Sequence, residues 1–316
     1  MNAPANPYSA MGGSSFIDPA ALMRIRSLEL RARTVVEGFW RGLHRSPFHG
    51  FSSEFAEYRP YVPGDDPRHL DWKLLARSDR ACTRVFEAET NVHCHVLFDV
   101  SASMHYGSAS FSKFEYARTL VASLALFLHE QGDAVGLMTF ADRVLDYIPA
   151  QRHSRTRHEI FAALEKLPAS RRTSLDVPIE QLLRTQRRRG IVLLVSDLLE
   201  PIESWGPKLT ALAACGHDIS LLQILDRAEL DFPFEQAALF EDVESGDQRH
   251  VEPAAMRTRY LERFHTHQER LLDVCSARGV LHHLFPTDEF LEKALFDHLT
   301  DRARRRRGVQ RARQLR

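Results

Sequence analysis

The sequence predicts an α/β fold in which a mainly parallel sheet carries helices on both faces, preceded by a helical and loop extension. Three observations predict it. Between residues 92 and 285, short apolar runs of strand length alternate with longer segments of helical period. Each helical segment opens near a Ser, Thr, Asp or Pro start signal. The spacing between the apolar runs suits parallel crossover units.

Taken in order, residues 1–15 repeat Pro, Asn, Ser and Gly without an apolar period, so a loose tail is expected. Asp18 before Pro19 signals a helix start, and Leu22, Ile25, Leu28, Leu30, Val35 and Val36 carry one helix to about Trp40. Residues 44–80 mix Pro, Gly, His and charges without a long period and read as an ordered loop region. Strands are expected at 92–99, 134–140, 190–196, 218–225 and 280–285, and helices at 112–130, 155–166, 176–188, 205–215 and 254–278. The run at 143–149 follows its neighbour strand after Ala141 and Asp142, predicting a tight hairpin with one antiparallel edge strand. A second hairpin is expected at 237–252, turning at Ser245 to Asp247. The domain plan is thus a tail to residue 15, an extension over 16–90, the α/β domain over 91–300 and a basic tail over 301–316.

Composition narrows the function classes. A chain of 316 residues with 44% hydrophobic content buries a full core. Forty-two basic residues balance forty-two acidic ones, so net charge points to neither DNA nor membrane as principal partner. Cys82, Cys94, Cys215 and Cys275 lie far apart with no C-x-x-C pair, which reads as structural thiols. No leader pattern follows Met1 and no apolar stretch has the length of a transmembrane segment, so a cytoplasmic protein is expected.

The chemistry concentrates at the end of the first predicted sheet strand. Residues 92–104 read VHCHVLFDVSASM, placing Asp99, Ser101 and Ser103 two apart where the strand stops. A carboxylate and two hydroxyls converging above a sheet edge offer oxygen ligands to a hard cation such as Mg²⁺. Thr173, in the loop before the helix at Asp176, and Asp197, closing IVLLVSD, complete the set at the crevice where strand order switches. The competing structural reading is a hydrogen-bonded turn that only caps helix 112–130, since Asp and Ser are ordinary turn and cap residues. With Thr173 and Asp197 added, the pattern resembles the metal-ion-dependent adhesion site of von Willebrand factor A-like (Rossmann-like) domains. That resemblance implies Ser101, Ser103 and Thr173 as direct ligands of Mg²⁺, or of Mn²⁺ or Ca²⁺, with Asp99 and Asp197 acting through waters or hydrogen bonds. Neutral direct ligands leave the ion most of its charge, so an acidic residue of a partner protein is the expected occupant of its open position.

A second signal lies just upstream. Arg59, Tyr61, Gly64, Asp65, Arg68, Asp71, Trp72, Ala76, Arg77, Phe86, Glu87 and Glu89 occur at spacings that resemble the domain-of-unknown-function 58 family, and later FEDVESGD and TDEFLEKAL extend the likeness over roughly 25–300. Arg59, Arg68 and Arg77 offer planar donor forks to Asp65, Asp66, Asp71, Glu87 and Glu89, so a charge network that holds the loop to the domain, or meets a partner, is expected. Gly64 after Pro63 is read as a turn residue and Trp72 as a packing anchor. The resemblance implies a non-catalytic, chaperone-like partner of MoxR-type AAA+ ATPases in maturation or assembly of other proteins. No G-x-x-x-x-G-K-[ST] loop occurs, so nucleotide hydrolysis would belong to the partner. The rival reading is Mg²⁺-dependent phosphoryl transfer or hydrolysis with Asp99 as nucleophile; Ser101 stands where a second carboxylate is needed, and His105 is the base such a scheme would recruit. Eight arginines and no acid between Arg302 and Arg316 make a local basic stretch, read as a solvated tail with nucleic acid, acidic membrane or an acidic partner as the alternatives.

Overall fold

The computed structural model describes residues 16–45, 57–60, 82–85, 92–166, 172–186, 188–241 and 246–314. The chain divides into two compact units, one running to Gly42 and resuming at Val92, the other Leu43–Asn91. The smaller unit contains an antiparallel pair, β1 (Glu57–Pro60) and β2 (Cys82–Val85), registered from Glu57 opposite Val85 to Pro60 opposite Cys82. The sequence reading has only loop at β1, because four residues are too few to display a period of two.

The larger unit is built on a six-stranded sheet of order β10-β7-β6-β3-β4-β5, comprising β3 (His93–Asp99), β4 (Ala134–Phe140), β5 (Val144–Gln151), β6 (Ile191–Ser196), β7 (Asp218–Leu225) and β10 (Leu281–Pro286). All neighbours are parallel except β4 and β5, the antiparallel edge that the hairpin at 143–149 predicts. This is the expected α/β arrangement, a mainly parallel sheet with helices on both faces. β4 and β6 are buried along their whole length, as parallel strands covered on both faces must be, whereas β5 is half-exposed at the edge. At Gly136 a Cβ would lie 2.6 Å from the Ala150 nitrogen and 2.7 Å from the Ile148 oxygen, so a glycine permits the bulged approach of β5.

Successive residues of β3 point to opposite layers. Leu97 joins the cluster of Trp205, Leu209, Leu212, Ile179, Leu182 and Leu271, contributed by α5 (Asp176–Thr185), α6 (Ile202–Ala214) and α8 (Pro253–Arg278). Phe98 stacks on Phe114 of α3 (Lys113–Glu130) at 5.6 Å on the other face. Helix α3 is buried over nearly its entire surface and begins at Ser112, whose hydroxyl accepts from the Glu115 N–H. It is covered in turn by α2 (Leu28–Arg45), through Phe39 against Phe127 and the Arg31–Glu115 ion pair at 2.9 Å. Helix α4 (Ser154–Glu165) follows β5.

Several boundaries differ from expectation. The single helix to Trp40 is two, α1 (Pro19–Met23) and α2, because Ser27 starts a new helix by accepting from the Leu30 N–H. Helix α6 begins three residues before the expected 205, and α5 stops at Thr185 rather than 188. One helix, α9 (Leu291–Gln314), runs unbroken past residue 300 into the basic stretch; Arg and Ala are strong helix formers and no Pro interrupts them. The strands of the second hairpin, β8 (Ala238–Glu241) and β9 (Gln248–Val251), pair where expected, while its expected turn begins at Ser245, outside the described residues; α7 (Arg227–Asp231) is an unpredicted single turn. The tail expected over 1–15 lies outside the described residues. Among the described residues no helix is long and apolar enough to cross a membrane.

Candidate metal centre

Strand order places the site. From β3 the chain first adds β4 on one side and later β6 on the other, so the carboxyl ends of β3 and β6 border the crevice at the switch point. Asp99 ends β3 and is wholly buried; its Oδ1 accepts from the Ser101 N–H at 2.9 Å. Its Oδ2 accepts from the Ser196 hydroxyl at 2.6 Å and the Thr173 hydroxyl at 3.1 Å. The Ser101 and Ser103 hydroxyl oxygens lie 3.1 Å apart. Thr173 is held by its own loop: Ser174 N–H donates to the Ala141 carbonyl at 2.9 Å, and Leu175 N–H to Glu200 Oε2 at 2.7 Å. Two segments distant in sequence thus deliver Asp99, Ser101, Ser103 and Thr173 to one hydrogen-bonded group, and Ser196 at the end of β6 adds a third.

Asp197 stands beside them but is engaged elsewhere. Its Oδ2 receives the Lys113 ammonium at 3.0 Å, and Lys113 reaches Glu229 Oε1 at 2.7 Å, with Lys113 fully buried and Asp197 2% exposed. Burial disfavours the Lys113 charge, but the two carboxylates outweigh it and hold the ammonium above its ordinary range. At Asp99, burial and the nearby Asp197 charge push the carboxyl up to about 6, against the hydrogen bonds from Ser196 and Ser101. Past Asp197 the chain turns through Leu198, a buried non-glycine residue at φ 55°, stabilised by Leu198 N–H to Ser196 Oγ at 3.1 Å.

The polar rim continues along β7. Asp226 accepts from the Ser108 N–H at 3.0 Å, the Ala228 N–H at 2.8 Å and the Thr287 hydroxyl at 3.3 Å, and it forms a capping box with Glu229 at the start of α7. Gly107 permits the loop to reach Ser108, since a Cβ there would meet the Phe111 carbonyl oxygen at 2.3 Å. His105 is exposed on one side and stacks its other face on Phe114 at 4.9 Å, and this partial loss of water lowers its basicity.

Sequence reasoning missed Ser196, Lys113 and Glu229. Ser196 was visible as the residue before Asp197, on the strand that must lie beside β3. Lys113 carried no signal, because a lysine opening a helix reads as solvated surface. Arg59 lies in β1, where side chains are outside the described residues, and Tyr61, Gly64, Asp65, Arg68, Asp71, Trp72, Arg77 and Glu87 also lie outside them. Of the cysteines, Cys94 and Cys275 are buried and Cys215 is exposed, and none of these three is in a disulfide; burial pushes the Cys94 thiol up to about 12.

The donor set fits a small hard cation. Among the described residues no three or more His, Cys, Asp or Glu side chains are grouped to hold a metal. An ion here would rely on hydroxyl oxygens supported by carboxylates, as Mg²⁺ accepts and soft metals do not.

Comparison with known proteins places the chain. The uncharacterised protein Rv1480 of Mycobacterium tuberculosis is 31% identical over 242 residues, covering 75% of this chain and 76% of that protein. An uncharacterised protein of Mycobacterium bovis, Mb1516, matches with the same figures. Among solved structures, the conserved hypothetical protein BatB from Bacteroides thetaiotaomicron aligns with a TM-score of 0.44 at 14% identity, covering 67% of this chain and 99% of that one. The SpRpn10 VWA domain aligns at 0.40 and 14% identity, covering 65% and 94%. The mussel byssus proximal thread matrix protein 1, in a form with a zinc-occupied MIDAS motif, aligns at 0.34 and 17% identity, covering 42% and 38%. The model of the family described as "Protein of unknown function DUF58" matches residues 57–270, and the chain belongs to that family.

Proposed function

We propose that this protein is a non-catalytic, metal-dependent protein-interaction module. One observation carries the reading: Asp99 draws the Thr173 loop and the Ser101 turn together, leaving the Ser101 and Ser103 hydroxyls 3.1 Å apart beside them. Ser101, Ser103 and Thr173 would hold Mg²⁺, or Mn²⁺ or Ca²⁺; Asp99 and Asp197 would orient them and supply negative charge. When bound, the ion supplies a positive docking point for a carboxylate. Asp99 itself is fully buried with both oxygens engaged, which suits an anchor and offers no open path to an attacking nucleophile. The phosphoryl-transfer reading therefore has the weaker support.

On sequence resemblance we extend the proposal to a MoxR-type AAA+ ATPase as partner, in chaperone-like maturation or assembly within the cytoplasm, with Arg59, Arg68, Arg77 and their acidic neighbours as a second contact region. The test is Mn²⁺ titration followed by its paramagnetic resonance signal. The wild-type chain should show one saturable site, displaced by Mg²⁺, that Ser101→Ala/Thr173→Ala weakens at least tenfold. Absence of saturable binding at millimolar Mn²⁺ overturns the metal reading. Copurification of a co-expressed MoxR-type ATPase that EDTA does not diminish overturns metal-dependent docking.

A further inference from the structure

Next to the rim, the middle of α8 contributes to a shallow cleft of about 430 Å³ lined by Glu262, Arg263, Thr266, His267 and Arg270. The cleft is tied to the end of β6: His267 Nε2 lies 2.7 Å from the carbonyl oxygen of Leu198, the residue directly after Asp197. One peptide, a Cα separation of about 3.8 Å, separates that anchor from a residue of the candidate metal centre. Leu199, the next residue, is 41% exposed despite its apolar side chain.

The cleft carries Arg263 and Arg270 against one acid, Glu262, a net single positive charge, and its two guanidiniums are largely uncommitted. Arg270 reaches Glu203 at 3.6 Å, with both side chains more than half exposed, a pairing that solvent screens strongly. Arg263 is exposed and has no ion pair or hydrogen bond among the described residues. Seven positions apart on one helix, Arg263 and Arg270 share a face and are spaced about 10.5 Å along the axis, the span of about three residues of extended chain. Guanidinium forks bind carboxylates in two-point geometry, so such a pair recognises acidic side chains on a short segment.

We propose that this cleft receives an acidic segment of a partner protein: one carboxylate completes the metal centre, acidic residues beside it engage Arg263 and Arg270, and an apolar residue covers Leu199. The inference rests on the metal-dependent docking proposed above and adds the chemistry of the partner: an acidic segment with an apolar residue, laid from the metal rim towards α8.

The test uses the full chain and a fluorescein-labelled peptide of nine glutamates with one central leucine, read by anisotropy with Mg²⁺ or with EDTA. Three variants accompany the wild type: Arg263→Glu/Arg270→Glu, Ser101→Ala/Thr173→Ala, and Arg155→Glu/Arg184→Glu as an equal charge change on α4 and α5. The cleft reversal should weaken the peptide at least tenfold while leaving Mn²⁺ affinity within twofold; the hydroxyl variant should remove the Mg²⁺ enhancement alone; the control should change affinity less than twofold. Unchanged peptide affinity in the cleft reversal, equal weakening in the control, or no peptide binding by the wild type overturns the cleft. A wild type that binds no Mn²⁺ but still loses the peptide on cleft reversal overturns the joint site through its metal half, which separates that failure from the others.

Discussion

Replacing Lys113 with methionine is the sharpest probe of the buried rim. The substitution keeps an unbranched side chain of similar length, so packing against α3's neighbours changes little and the lost charge dominates. Lys113 is fully buried and serves two carboxylates, Asp197 at 3.0 Å and Glu229 at 2.7 Å, which are themselves 2% and 16% exposed. Removing one partner of a buried ion pair costs about 3–5 kcal/mol because the remaining charge has neither water nor a counter-ion. Two carboxylates are stranded here, so the loss should fall at the upper end, about 5 kcal/mol. Urea unfolding at pH 7.5 followed by circular dichroism measures it as a fall in midpoint at unchanged slope. Adding Glu229→Gln should restore part of the loss, because a neutral amide is cheaper to bury than a carboxylate. A loss below about 1 kcal/mol in Lys113→Met, or no recovery in the double variant, would refute the view that this ammonium holds the rim together.

Acid should destabilise the protein through its buried imidazoles. Burial, with the neighbouring His217 and His93, lowers His95 to about 4 from 6.5, so between these values the unfolded chain binds the extra proton; stability is full above 6.5 and falls by about 3 kcal/mol as pH drops to 4, and His95→Gln should flatten that slope in urea titrations across the window. His282, also lowered to about 4 by burial, acts in the same direction. Gly136→Ala should cost about 1–3 kcal/mol, since its new methyl would lie under 3 Å from the backbone of Ile148 and Ala150; a thermal midpoint equal to wild type would show that the β5 bulge yields freely. Asp226→Ala should cost about 2–4 kcal/mol by removing the acceptor shared by Ser108, Ala228 and Thr287, and amide exchange at Ser108 should accelerate with it.

The parts of the fold that could be read from sequence are those where burial imposes a period. β4 at 134–140 and β7 at 218–225 were bounded correctly because apolar residues dominate both runs, with Asp218, Ser220 and Gln223 as the polar exceptions in β7, and turn signals flank them. The break between α1 and α2 was invisible because Ile25 keeps the apolar spacing across it while the chain leaves the helix; only Ser27, in hindsight a start signal, marks the second beginning. At the site, Asp99, Ser101 and Ser103 were legible as neighbours on one turn. Thr173 needed the strand order, since nothing local distinguishes it from other loop threonines. The contact of Lys113 with Asp197 spans 84 residues and joins a helix start to a strand end, so its charge pairing is a property of the assembled sheet and of no local pattern.

The charge balance of the rim argues for a cation independently of any motif. Asp99, Asp197 and Asp226, all buried, and the largely buried Glu229 place four carboxylates along the rim against the single ammonium of Lys113. Lys113 is spent on Asp197 and Glu229, while Asp99 is satisfied by neutral donors alone, from Ser101, Ser196 and Thr173. Neutral hydrogen bonds stabilise a buried carboxylate less than a counter-ion does. A divalent ion bound by Ser101, Ser103 and Thr173 would offset two of the three surplus charges without displacing Lys113, whereas an ion bound directly by Asp197 would have to compete with the ammonium at 3.0 Å. On the proposed reading the arrangement suits hydroxyl ligation at the mouth with carboxylates behind it, which would leave the ion electron-poor and its outward face suited to a carboxylate from another protein.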